Sequence, residues 1–219
     1  MIDIGEITVE QFLEIQKKRN ETLQDFEENP FSLLNNEIEQ LVIATGLDKK
    51  YFEKMNVVNE LKPIVSDFHE QLKESNLKQF GKKNLIVVNK KAYFAETNMN
   101  EFTSSQYTDM MTFLEKGGID ENLDKMLALI FIPSKKYWLS KKEYDWNVHE
   151  AVTKDMRKAK LKDVIGTVFF YSDLLNLLIK ASMESLKSAN EKIQEVMPEV
   201  MKWAKENPEI LKKAGLTLS

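Results

Sequence analysis

"NLIVVNKKAYFAETNMNEFTSSQYTDM", residues 84–110, changes its apolar period twice. "NLIVV" and "AYFAE" are β-branched and aromatic runs joined by a Lys-rich turn, which predicts a β-hairpin. Asn89 is the residue best suited to the positive-φ position of that turn. After a polar gap, "TSSQ" (103–106) is a capping box, and the period becomes helical. Two strands alone are marginal in water. This hairpin must therefore lie on helices or pair with another edge, as a lid over the core or an edge offered to a partner.

Outward from the hairpin, every other segment reads as helix. On the N-terminal side, "TVEQ" (8–11) is a capping box, and Phe12, Ile15, Leu23 and Phe26 mark one face of the helix it opens. Asn29-Pro30 closes that element and opens "FSLLNNEIEQLVIATG", where Gly46 supplies a left-handed stop. Asp48 caps a short helix. Asn56 caps a longer one through Leu72, which either begins near Pro63 or kinks there.

On the C-terminal side, Gly117-Gly118 ends the helix begun at Thr103, and Asp120 caps "ENLDKMLALIFI", which Pro133 ends. The loop "SKKYWLSKKEYDW" follows, then a helix over about 147–158. The last periodic run spans Leu161 to Val196 at 3-4 spacing. Its first part, "DVIGTVFFYSDLLNLLIKA" (163–181), reads as a buried core helix, because Asp173 and Asn176 interrupt it short of a membrane span. Its second part, "ESLKSANEKIQEV", is charged outside a narrow seam, as in a helix that pairs with one partner. Pro198 is expected to kink or end the run, and "NPEILKKAG" to form a short terminal helix. The fold class is thus mainly α: a multi-helix bundle with one central β-hairpin and a long C-terminal helix. Regions 1–80, 81–180 and 181–219 are expected to make one domain plus a C-terminal extension.

Composition narrows the chemistry. Among 219 residues there is no Cys, which excludes disulfides, thiolate metal sites and thiol catalysis. The net charge of -4 argues against general nucleic-acid binding, and only Arg19 and Arg157 offer a guanidinium fork. The two histidines, His69 and His149, lack companions at metal-ligand spacing. Seven scattered glycines form no phosphate loop, and no GxSxG elbow is present. The acidic runs at 25–28 and 120–122 are explained by helix capping and solvated faces. Lys82, Lys83, Lys90 and Lys91 flank the hairpin, where lysines guard an exposed strand edge against aggregation. No catalytic residue, metal or cofactor is therefore expected, and no small-molecule substrate or membrane. Tyr and Trp in Lys-rich surroundings are the composition of protein contact surfaces. The candidate contact residues are Tyr137, Trp138, Tyr144, Trp146, Tyr93 and Phe94.

The order "ITVEQFLEIQ", "KKNLIVVNKKAYFAE", "FTSSQYTDMMTFLEKGG", "NLDKMLALIFIPSKKYW", "LKDVIGTVFFYSDLL" resembles a family of small proteins from tailed phages of Bacteroidetes hosts. The shared positions are Thr103, Gln106, Tyr107 and Asp109, then Leu127, Ala128 and Pro133, then Phe169 and Phe170. The resemblance covers about two thirds of the chain, and its motifs are capping and packing signatures. It implies a tail assembly chaperone or small virion structural component. Such a protein would contact other phage structural proteins, with a homo-oligomer possible, in the virion or in the host cytoplasm during assembly. The alternative is a small helical regulator that binds a host protein or nucleic acid.

Overall fold

The computed structural model describes residues 2–25, 30–96, 101–134 and 146–206. The chain divides into two compact units, 1–171 and 172–219. Regions 1–80 and 81–171 therefore pack as one body.

In the first unit, α1 (Val9–Asp25) packs on α2 (Pro30–Thr45) and on α7 (Gly118–Ile130), and α7 also packs on α6 (Ser104–Glu115) and α8 (Trp146–Met156). The centre is α7. Leu123, Met126, Leu127, Ala128, Leu129 and Ile130 are all buried, because α1, α6 and α8 pack against this helix. Both capping boxes form. The Gln11 amide donates to the Thr8 hydroxyl at 3.2 Å, and the Gln11 carboxamide oxygen accepts from the Thr8 amide at 2.9 Å. Thr103 and Gln106 repeat the arrangement, and the buried Gln106 also donates through Nε2 to the Leu129 carbonyl at 3.1 Å. A residue chosen for a helix start thus also ties α6 to α7.

Short helices line the rest of this unit. Asp48 caps α3 (Lys49–Glu53) by accepting from the Lys50 amide. Asn56 caps a π-helical turn, Val57–Leu61, by accepting from the amides of Val58 and Asn59. Then α4 (Lys62–Gln71) begins with Pro63 in its first turn, where a missing N–H leaves no bond unmade. The helix after Asn56 therefore changes geometry and restarts at Pro63. Helix α5 (Glu74–Leu77) leads to the hairpin.

Strands β1 (Leu85–Val88) and β2 (Lys91–Ala95) pair antiparallel, with Ile86 opposite Tyr93. Asn89 and Lys90 form the two-residue turn, with φ of 51° and 62°. Both residues take the left-handed conformation of a type I′ turn, although the sequence marks only Asn89 for it.

The helix expected to run to Pro133 stops at Ile130. Phe131–Pro133 is instead β3, pairing antiparallel with β2 so that Phe94 lies opposite Ile132. The residue before a proline is pushed to extended backbone, and "FIP" supplies β-favouring side chains there. The hairpin is thus two strands of a three-stranded sheet, β1-β2-β3. Asn122 adds a further departure. It is non-helical inside α7, and its Nδ2 donates to the Phe113 and Lys116 carbonyls, satisfying the end of α6. Gly117 and Gly118, with φ of 91° and 58°, make the turn between the two helices.

Helix α9 runs from Leu161 to Glu206. Within the first unit, Leu161, Val164, Ile165, Val168, Phe169 and Tyr171 are buried. Two small residues admit the chain beside them. A Cβ on Gly166 would lie 1.6 Å from the Phe80 carbonyl oxygen, so only glycine permits this crossing. The Thr167 hydroxyl accepts from the Lys83 amide at 3.0 Å and donates to the Lys83 carbonyl at 3.1 Å, standing in for a strand neighbour. The N-terminal segment closes on the same region, through an isolated bridge between Thr8 and Lys160. Helix α9 continues through Pro198, so of the two outcomes expected from the sequence, a kink or an end, the end does not occur. The terminal helix expected at 207–215 lies outside the described residues.

Candidate interaction surfaces

The sequence nominates six aromatic residues. Tyr137, Trp138 and Tyr144 lie outside the described residues. Trp146 opens α8, but its side chain is not among those described. Tyr93 is buried at 1% exposure, so its ring packs in the core and is not displayed. Its place in the sheet explains this: β2 alternates, and Tyr93 and Ala95 point inward. Phe94, on the opposite face, is half-buried.

Tyr93 belongs to a polar cluster that the sequence does not reveal. Its hydroxyl donates to the Asp155 carboxylate, which also accepts from Asn89 Nδ2 at 2.9 Å and Lys91 Nζ at 2.7 Å. Burial pushes the Tyr93 hydroxyl well above its ordinary value, and the adjoining Asp155 adds to the shift. For Asp155, burial opposes ionisation, but the bonds from Lys91, Tyr93 and Asn89 outweigh it and leave the carboxyl below its usual range. One carboxylate on α8 thus clamps both ends of the hairpin turn. The cluster is structural in character: its carboxylate is saturated by three donors.

The basic hairpin is similarly occupied. Lys83 pairs with Asp163, Lys91 pairs with Asp155, and Lys82 sits 4.2 Å over the ring of Phe170. Three of the four flanking lysines thus have a partner within the chain, though Lys83 and Lys91 stay 47% and 62% exposed. Among the described residues the outer edge of β1 has no strand partner, and Leu85 and Val87 are exposed along it.

An open groove of about 680 Å³ lies along α1 and α7. Glu10, Glu14, Asp120 and Glu121 line it against Lys17 and Lys125. Burial raises the Asp120 carboxyl. At the base, the buried carboxylate of Asp124 accepts from Arg157 Nε at 2.7 Å and from the Lys125 amide at 2.8 Å, so it is already neutralised. Among the described residues no group of three or more His, Asp or Glu could hold a metal ion. The histidines stand apart. His69 lies 3.3 Å from Gln40 Oε1, and His149 is buried on α8. Burial lowers the basicity of both. In the core, the Tyr171 hydroxyl is buried without a hydrogen-bond partner among the described residues, while its ring stacks on Phe102.

In the second unit, α9 displays its apolar side chains. Leu177, Met183, Leu186, Ile193 and Val196 are 53% to 70% exposed. They lie on a helix whose other positions carry Lys180, Glu184, Lys187, Glu191 and Glu195. By length and composition alone, the stretch Leu161–Glu199 is apolar enough to cross a membrane, with a mean hydropathy of 1.4 in its richest window, 44% of which is buried. Compared with known proteins, the chain matches no protein-family model, no curated protein and no solved structure.

Proposed function

We propose that this chain is a non-enzymatic phage morphogenesis protein that acts through protein–protein contacts. It serves as a virion component of neck, tail or ring, or as a tail assembly chaperone. The observation that supports the contact role is the exposed apolar series on α9, from Leu177 to Val196. Residues so apolar remain exposed along one helix mainly where a partner covers them. The virion assignment is supported by the sequence resemblance, whose signature positions Thr103, Gln106 and Pro133 serve capping and strand pairing.

Mass spectrometry of purified virions from a phage carrying this gene tests the assignment. The expected result is its peptides at a copy number near a multiple of a symmetry number, or its co-purification with a tail protein from infected cells. Absence from both overturns it. Salt-sensitive retention on duplex DNA would put a nucleic-acid-binding regulator in its place.

A further inference from the structure

Beyond Leu178 the apolar positions of α9 recur in sevens. Ile179, Leu186 and Ile193 hold one position of the repeat, here called a. Ser182, Ala189 and Val196 hold the position three residues on, called d, and Val200 and Trp203 continue the two series in the sequence. A repeat of seven keeps its seam on one side of a supercoiled helix. Met183 and Met197 flank the seam, and both are exposed, as are Leu186, Ile193 and Val196 on it. Lys180, Glu184, Lys187, Glu191 and Glu195 all fall away from it. Pro198 falls on the outermost position, where its ring does not meet a facing helix.

Charge selects the partner. From Met183 to Glu206 three positions flanking the seam are charged, Lys192, Glu199 and Glu206, and all lie on the same side. Among the described residues neither Lys192 nor Glu199 has an ion-pair partner within the chain. In a parallel, in-register pair, Lys192 would face Met197 and Glu199 would face Ala204, and neither charge would be answered. In an antiparallel pair that layers Ile193 of one copy on Val196 of the other, Lys192 of each copy lies beside Glu199 of its mate. The same register sets Ala189 against Val200. A two-fold axis forms both ion pairs at once, as an isologous interface requires.

We infer that α9 pairs antiparallel with α9 of a second copy of this chain, from Met183 to Glu206, with Lys192–Glu199 bridges fixing the register. This deepens the reading of α9 as a contact helix and rests on it, but not on the virion assignment. A chain that stays monomeric overturns the pairing, whereas absence from virions overturns only that assignment.

Sedimentation equilibrium of the full chain is expected to give a dimer. Lys192→Glu and Glu199→Lys each set like charges together twice, and each is expected to weaken dimerisation about tenfold. The double variant Lys192→Glu/Glu199→Lys restores the bridges and the affinity. Within one helix, Lys192→Glu adds repulsion to Glu195, while Glu199→Lys exchanges repulsion from Glu195 for repulsion from Lys202, and neither effect is reversed by the other substitution. Shared weakening with mutual rescue therefore reports the interface. The absence of cysteine allows a second measurement. Ile193→Cys mixed with Val196→Cys should give a mixed disulfide. Ile193→Cys alone should stay reduced. A monomer at all concentrations, single reversals without effect, or ready cross-linking of Ile193→Cys to itself would each overturn the pairing.

Discussion

Ile165 and Ile193 lie 28 residues apart in the same helix and hold the same position of a seven-residue repeat. Ile165 has no exposed surface, whereas Ile193 is 54% exposed. Period alone does not separate them. The neighbours do. Beside Ile165 stand Gly166 and Thr167, a missing side chain and a hydroxyl, both needed where Phe80 and Lys83 cross the helix at contact distance. Around Ile193 stand Lys192, Glu191 and Glu195, none of which has an ion pair among the described residues, whereas Asp163 beside Ile165 is paired with Lys83. An apolar stripe says that a helix has a partner. The small and polar residues beside the stripe say whether that partner is part of the same folded unit.

The largest effect that can break this contrast belongs to Gly166→Ala. The new Cβ meets a backbone carbonyl that cannot rotate away, so the 80–83 segment must move and the Thr167 bonds stretch. A loss of about 4 kcal/mol in urea unfolding is expected, at the upper end of overpacking penalties. A loss below about 1 kcal/mol would show that the crossing is looser than drawn. Next comes the matched pair. Ile165→Ala should cost about 3 kcal/mol, because it opens a cavity in a filled core. Ile193→Ala, measured at concentrations where the chain is monomeric, should change stability by less than about 0.5 kcal/mol, since solvent already fills the space. Equal costs would end the distinction between the two parts of α9.

How much of this was legible in the sequence follows the range of the interactions. The capping residues Thr8, Asp48, Asn56 and Thr103 act within one helical turn, and each was identified from the sequence and performs that role. The hairpin and Asn89 were legible for the same reason. β3 was not: "IFIPS" continues an apolar helix in pattern, and only the neighbouring β2 makes its last residues a strand. Pro198 reads as a kink or a stop by its own chemistry, and α9 continues through it. Asp155 gave no local signal, since its donors are more than 60 residues away. Of the candidate contact residues, Tyr93 was misjudged because aromatic composition does not report which face of a strand is buried. The stripe beyond Leu178 was legible as an apolar series from its 3-4 spacing, and Met183, Leu186, Ile193 and Val196 are exposed along it.

Asp155 sharpens the contrast through pH. Its folded carboxyl is held below its usual range, so the stability it contributes is present above the unfolded value near pH 4 and is lost as pH falls through the folded one. Asp155→Asn should cost about 2 kcal/mol at pH 7, because Lys91 and Tyr93 lose a charged acceptor. The gap between variant and parent should narrow as the pH drops below about 4. A gap that stays constant down to pH 2 would mean the carboxylate is not the clamp that holds the hairpin.

The smallest difference concerns hydroxyl groups. Thr103→Ala removes the acceptor for the Gln106 amide at the start of α6 and frees the Gln106 side chain that reaches Leu129, so about 1 kcal/mol should be lost. Ser188→Ala removes a hydroxyl from an exposed position inside α9, where alanine is the better helix former. Its effect should be a few tenths of a kcal/mol in the stabilising direction. Both substitutions delete a hydroxyl, Thr103→Ala a methyl as well, but Thr103 stands at the N-cap with extended backbone, where helix propensity does not act, whereas Ser188 lies inside the helix, so opposite signs are expected. Guanidinium-induced unfolding of both variants side by side measures both signs. Stabilisation by Thr103→Ala would mean that the box at 103–106 is ornamental and that α6 is held by its packing on α7 alone.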